Sequence, residues 1–430
     1  MMNPAYDRII NVDDATRLGV FTTTAQRIGT TPQNVEKDFW VCWTLDALFN
    51  GLPPGPRLLF KGGTSLSKGF GLIRRFSEDI DVTVFRDDLG QTASIAELEA
   101  MSGKKREAAL DAIREACEAH IQGPLQSQLA AIVGEAAERM GIAAAQWRVE
   151  PDAHDAQALS LRYPTVTPVD AYVGKAVKIE SGAKSALDPH ALHTIKPYLE
   201  ADVPGIDLAV ANVTIVDAER TFWDKVVILH GLRRWFEIRG VLRGNGQRVS
   251  RHYYDLHELL QSDAGKRALA DPALGRDCVA HARLFFNRPA FDLGTAVPGS
   301  FALCPEGDMV DDLRRDYRAM TDLWRRACLR CRHREHRDPP EPAQYGSSVR
   351  ARFGSADGLR REILVRIAPE YRCFALGITI DELVGMAARE DREANELLRH
   401  IDDTVIIAGR AHPAVLAEFL EGHGDTRLVG

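Results

Sequence analysis

Four hundred and thirty residues, 45 % hydrophobic and 27 % charged, exclude a mainly disordered chain, a collagen and a coiled-coil rod. At roughly 100–200 residues per domain they imply two or three domains. A formal charge of -7 argues against a uniformly basic nucleic-acid binder while leaving room for a local basic surface. Seven scattered cysteines fit a reducing compartment. With no apolar run near the ~18–20 residues that span a bilayer, and no basic-then-apolar start, they predict a soluble cytoplasmic protein. In chain order, Pro32 behind Thr30 and Thr31 opens a helix with an apolar stripe through Val35, Phe39, Cys42, Trp43 and Leu48, ended by Gly51 to Pro56. Cys42, between aromatics on that stripe, reads as a core residue. Leu58-Leu59-Phe60 reads as a short buried strand. Asp79 to Phe85 alternates as a second strand, with Ile80, Val82 and Val84 on one face. Residues 94–145 read as helical, and Ala176 to Glu180 and Val213 to Val216 as further strands. Phe222 to Trp235 and Arg251 to Leu260 follow as helices.

Beyond them, Arg314 to Arg337 holds nine arginines against three acids, a basic helix on an acidic protein. It reads either as a solvated helix end or as a phosphate-backbone surface for an RNA, with Arg314, Arg315, Arg325 and Arg326 as candidate contacts. Residues 338–348 read as a linker, and Thr379 followed by Glu382 as a capping-box start in a small helical tail. Cys328, Cys331, His333 and His336 crowd into nine residues with no loop to wrap a tetrahedron, which argues against zinc. His257-Glu258 lacks the second histidine of a zinc-protease motif, since Gln261 stands there.

The informative stretch is Phe60-Lys61-Gly62-Gly63-Thr64-Ser65-Leu66-Ser67-Lys68, followed by Arg75-Phe76-Ser77-Glu78-Asp79-Ile80-Asp81. A strand turning through two glycines into a helix presents bare backbone N–H groups and the Thr64 and Ser65 hydroxyls at a positive helix end, a cradle for phosphate. Lys61 and Lys68 would add point charges to it. Asp79 and Asp81, at i and i+2 of an extended chain, share a face and repel unless a cation sits between them. Mg²⁺ resolves this, because it takes carboxylates together with phosphate oxygens. Phosphate cradle and acidic pair together are what nucleotidyl transfer requires. Lys225, flanked by Phe222, Ile228 and Leu229, faces the apolar side of its helix and calls for snorkelling or a buried anionic partner.

These motifs resemble the AbiEii/AbiGii family, nucleotidyltransferase-like toxins of bacterial toxin–antitoxin and abortive-infection systems within the DNA polymerase β-type superfamily. Glu36-Lys37-Asp38-Phe39-Trp40 is similar to that family's EKDYW helix, and Arg251-His252-Tyr253-Tyr254-Asp255-Leu256 to its RDLYDL motif with His252 in place of an Asp. The resemblance covers roughly residues 30–260. It implies an α+β fold with a polymerase β-like core of small mixed sheet and helices, read over 1–216, followed by a helical lobe, read over 217–337; the linker 338–348 and the small helical appendage over 349–430 lie beyond what the resemblance explains. It implies Glu180 as a third acid beside Asp79 and Asp81, although a half-exposed strand with a solvated Lys178/Glu180 pair fits the same pattern. It further implies that Lys225 contacts nucleotide phosphates, that Asp255 is the second important acid of its motif, and that Gly62, Gly63, Thr64, Ser65 and Lys68 bind nucleotide. The implied function is NMP transfer from an NTP, with two Mg²⁺ ions, to a tRNA 3′ end, with a cognate antitoxin as partner. Nucleotidylation of a protein hydroxyl, and a silent RNA- or partner-binding module, are the alternatives.

Overall fold

The computed structural model describes residues 1–319 except 93, 169–175, 247, 298 and 299. Residues 1–303 and 315–319 belong to one compact unit. Residues 304–314 belong to a second, in which Arg314 pairs with Asp311 at 2.8 Å. Residues on both sides of 216 thus lie in the first unit, while the linker 338–348, the appendage 349–430, Arg325, Arg326 and the Cys328 to His336 cluster lie outside the described residues.

The first unit opens with three helices, α1 (Ala5–Ile10), α2 (Asp14–Ile28) and α3 (Pro32–Asp46). α3 starts as its sequence predicts, with Thr31 capping the Asn34 N–H and Pro32 in the first turn. Strand β1 (Leu58–Lys61) runs into α4 (Gly62–Lys68), and β2 (Ile80–Val84) follows. Then come α5 (Ile95–Ala100), α6 (Gly103–His120) and α7 (Gln126–Arg139), and the strands β3 (Arg148–Pro151), β4 (Ala158–Arg162), β5 (Ala176–Glu180), β6 (His190–Ile195) and β7 (Val210–Val216). Helices α8 (Ala218–Arg239), α9 (Ser250–Leu260), α10 (Asp263–Ala270) and α11 (Pro272–Phe285) complete it, before α12 (Asp308–Ala319). The fold is α+β. No helix among the described residues is long and apolar enough to cross a membrane.

The seven strands form one mixed sheet in the order β3-β4-β5-β2-β1-β7-β6. β1 pairs antiparallel with β2 and parallel with β7, and β2 pairs parallel with β5. The centre is therefore β5-β2-β1, whose inward side chains Phe60, Ile80, Val82, Val177 and Ile179 are all fully buried. α3 packs its aromatic face there: Trp40 stacks on Tyr163 at 5.3 Å and meets Trp147 edge-on at 5.1 Å.

Three consecutive charges of α3 are buried, which a folded chain tolerates only when each is paired. The Glu36 carboxylate accepts from the Val166 N–H at 2.7 Å and the Thr165 hydroxyl at 2.6 Å. Lys37 donates to the Ala176 carbonyl and lies 3.5 Å from Glu78. Asp38 takes Lys68 at 2.5 Å and the Tyr198 N–H at 2.6 Å. This segment works as a structural staple, holding stretches of chain around residues 68, 78, 165–176 and 198.

Candidate active site

The sheet centre places one row of charge. Lys61 on β1 lies opposite Asp81 on β2, and Asp81 opposite Glu180 on β5. Paired residues project to one face, so an ammonium and two carboxylates share it, while Ile80 and Val82 anchor the strand in the core beneath. Burial pushes the Asp81 carboxyl up from its ordinary value; Lys61 opposes this, and Glu180 and Asp79 add to it. Asp79, just ahead of β2, is 23 % exposed at its side chain. Such a negative pair gains from a cation, and two carboxylates supplemented by phosphate oxygens and water match the demand of Mg²⁺. Among the described residues no three His, Cys, Asp or Glu side chains gather as a metal cage. Glu180 instead pairs along its own strand with Lys178 at 2.7 Å.

Two glycines let this face close up. Gly62 has φ +81°, and a Cβ there would fall 2.2 Å from Asp81 Oδ2. A Cβ on Gly63 would fall 2.4 Å from Arg75 Nη2. Both positions therefore make room for functional side chains as much as for an anion. Gly62→Ala is expected to cost about 1–3 kcal/mol through the left-handed backbone and the clash with Asp81; an unchanged denaturation midpoint would show that the turn relaxes freely.

The hydroxyls expected in the cradle are spent elsewhere. Thr64 Oγ1 donates to the Asp79 carbonyl at 2.6 Å and contacts Ser77 Oγ at 2.9 Å, tying α4 to the start of β2. Ser65 Oγ donates to the Gly62 carbonyl at 2.9 Å. Both residues are buried. Lys68 also departs from expectation: one turn of helix carries it away from the glycines to Asp38, against the Tyr198 ring at 3.8 Å. Burial alone would lower its pKa, but Asp38 holds it above the ordinary lysine value, locked as a cation.

A second wall comes from α8 and α9. Asp255, with no exposed side-chain surface, receives Arg75 Nε and Nη2 at 2.7 Å each and Lys225 Nζ at 2.8 Å. This is the anionic partner that Lys225 requires. Burial would raise the Asp255 carboxyl, yet Arg75 and Lys225 hold it well below the carboxylate range. Burial lowers Lys225 despite Asp255. Burial, and then the cations Lys225 and Arg251, push the imidazole of His252, which stands where the resembled motif has Asp, well below its ordinary value. Asp255 is thus saturated by cations and serves to position Lys225 and Arg75.

Both walls line one cleft of about 400 Å³. Its lining combines the charged side chains of Lys61, Arg75, Asp79, Asp81, Lys225 and Arg251 and the glycines Gly62 and Gly63 with apolar Val227, Ile228, Leu232, Phe286 and Phe291, and Arg243 lies over the Phe291 ring at 5.3 Å. Arg75 and Arg251 escape the sequence argument. Arg75 sits in an irregular loop, 180 residues from its partner. Arg251 had a signal, as the leading residue of its motif, and its charge opposes, as the smallest of the contributions, the rise of the Asp81 carboxyl.

A family profile described as Nucleotidyl transferase AbiEii toxin, Type IV TA system, matches residues 43–326. The match starts beyond the Glu36 to Trp40 staple and extends past the expected limit near 260. No curated protein matches the chain. Among solved structures the chain is similar to MenT4, a nucleotidyltransferase toxin from Mycobacterium tuberculosis H37Rv, at 16 % sequence identity and a TM-score of 0.35, over 73 % of this chain and 96 % of that one.

Proposed function

Since the chain belongs to the AbiEii family, the nucleotidyl transferase toxins of type IV toxin–antitoxin systems, we propose that its cleft transfers an NMP from an NTP to the 3′-terminal hydroxyl of a tRNA. The acceptor oxygen attacks the α-phosphorus, the bond to the bridging oxygen breaks, and pyrophosphate leaves with the acceptor proton passing to solvent. The observation that carries the reading is the row Lys61–Asp81–Glu180 with Asp79 at its edge, beside a glycine turn and a cationic wall.

Asp79 and Asp81 would hold Mg²⁺, which would supply charge neutralisation at the reacting oxygens. Of the three Lys225 donors one is committed to Asp255; the ammonium faces the triphosphate with the others. Lys61 and Arg251, which make no ion pair among the described residues, supply further positive charge to the phosphates. Arg75 stays on Asp255 and the Phe76 carbonyl and fixes the wall. The apolar side chains Val227, Ile228, Leu232 and Phe286 in the cleft lining reduce the water around the substrate. The tRNA acceptor is inferred from the family resemblance.

Each α-labelled NTP incubated with the protein, Mg²⁺ and total RNA plus total protein tests this. Label is expected in the tRNA band with one or two of the four nucleotides, and chelation by EDTA is expected to remove it. Label in protein bands would move the acceptor to a protein hydroxyl, and label indifferent to EDTA would remove the metal from the mechanism.

A further inference from the structure

Arg248 lies in the connection from α8 to α9, three residues before Arg251, and adopts a φ of +59°. A side chain beyond glycine is disfavoured there and persists where the surroundings over-determine it. Asp316 does so: its Oδ1 accepts the Arg248 N–H at 2.6 Å, and its Oδ2 accepts the Ser250 N–H at 2.7 Å and hydroxyl at 2.6 Å. Asp316 is itself buried. The strained backbone delivers a guanidinium between two acids, with Nη2 at 3.4 Å from Glu78 Oε1 and Nη1 at 3.5 Å from Asp79 Oδ2. Glu78 has Lys37 on its other side at 3.5 Å. Among the described residues Arg248 is the ion-pair partner of Asp79.

The distances matter. A tight charge-assisted hydrogen bond measures about 2.7–2.9 Å, so Arg248 neutralises Asp79 without being locked to it, and its side chain keeps 34 % exposure. A divalent cation on the same carboxylate would bring two like charges close together. We propose that Arg248 is a resident counter-ion of Asp79, held by Asp316, that competes with the divalent cation for the carboxylate pair. Nucleotide phosphates relieve the competition by offering the guanidinium another anion, so that metal and nucleotide bind with positive coupling. The inference rests on the reading of Asp79 and Asp81 as metal ligands.

Mn²⁺ titration of the nucleotide-free protein, followed by the EPR signal of the free ion, tests it without any turnover. Arg248→Gln is expected to bind Mn²⁺ about tenfold more tightly than the wild type, because an adjacent like charge is removed, and Arg248→Lys to stay near the wild type. Asp79→Asn is expected to lose the site. Affinity in Arg248→Gln equal to or weaker than the wild type, with Asp79→Asn still deficient, would overturn the competition while leaving the metal site standing. Mn²⁺ binding unaffected by Asp79→Asn, or absent from every protein, would overturn both readings.

Discussion

Asp81→Asn is expected to reduce nucleotidyl transfer by at least about 10³-fold while leaving the melting temperature unchanged or slightly higher. The loss follows from removing a carboxylate from the metal pair, which withdraws several kcal/mol of transition-state charge stabilisation at about 1.4 kcal/mol per tenfold. The stability side has the opposite sign. Burial, with Glu180 and Asp79 alongside, raises the Asp81 carboxyl above its ordinary value. A raised carboxyl means that the fold disfavours the charged form, so the negative charge costs stability at neutral pH. Asparagine keeps the shape against Gly62 and removes that cost. A labelled-NTP assay and a thermal melt of the same preparation check the pair of outcomes. Activity within tenfold of wild type would remove Asp81 from the site, and a large fall in melting temperature would make it structural.

Asp255→Ala acts mainly on stability. It leaves Arg75 and Lys225, 4 % and 7 % exposed at their side chains, facing each other without their anion. Breaking such a buried set by removing one partner costs about 3–5 kcal/mol, on the order of 10 °C in melting temperature for a domain of this size. Converting all three together (Arg75→Met, Lys225→Met, Asp255→Leu) is expected to recover much of the stability and none of the activity. Its pH dependence carries a sign. The folded carboxyl sits below its unfolded value of about 3.9, so the contribution is complete above that pH and drains away as pH falls. Between pH 5 and 3 the wild type should lose more stability than Asp255→Leu. Parallel acid titrations of the two proteins would show that the triad is not the source.

The β1–α4–β2 unit is legible in sequence because three physical signals coincide: an apolar run, a glycine pair and strict alternation from Ile80 to Val84. Lys225 is legible for a different reason, a charge on an apolar helix face, and Asp255 answers it across 30 residues. What stays hidden is direction and distance. Lys68 stands six residues past Gly62, yet the helical turn aims it at Asp38. The hydroxyls of Thr64 and Ser65 satisfy backbone carbonyls that no residue pattern announces. Arg75 looks like any loop arginine until a residue 180 positions on is placed beside it. β3, β4 and β6 have four to six residues each and carry exposed or half-exposed polar faces, too short for periodicity to speak. α1 and α2 gain their burial from Tyr6 and Phe21 packing on Phe39, a tertiary fact.

The pairing of Arg75 with Asp255 also sets a clock. Chains leave the ribosome at roughly 5–20 residues per second, so the 180 residues between the two partners take roughly 10–40 s to synthesise. During that interval Arg75 has no carboxylate, Lys225 has not been made for most of it, and the Glu36–Lys37–Asp38 staple, which has Lys68 and Glu78 early, gains its other partners only as residues 165–198 emerge. The cleft is therefore completed late, once α9 is out. A nascent or prematurely terminated chain that stops short of α9 carries the acidic pair without the wall opposite it, which confines the full site to chains synthesised past Leu260.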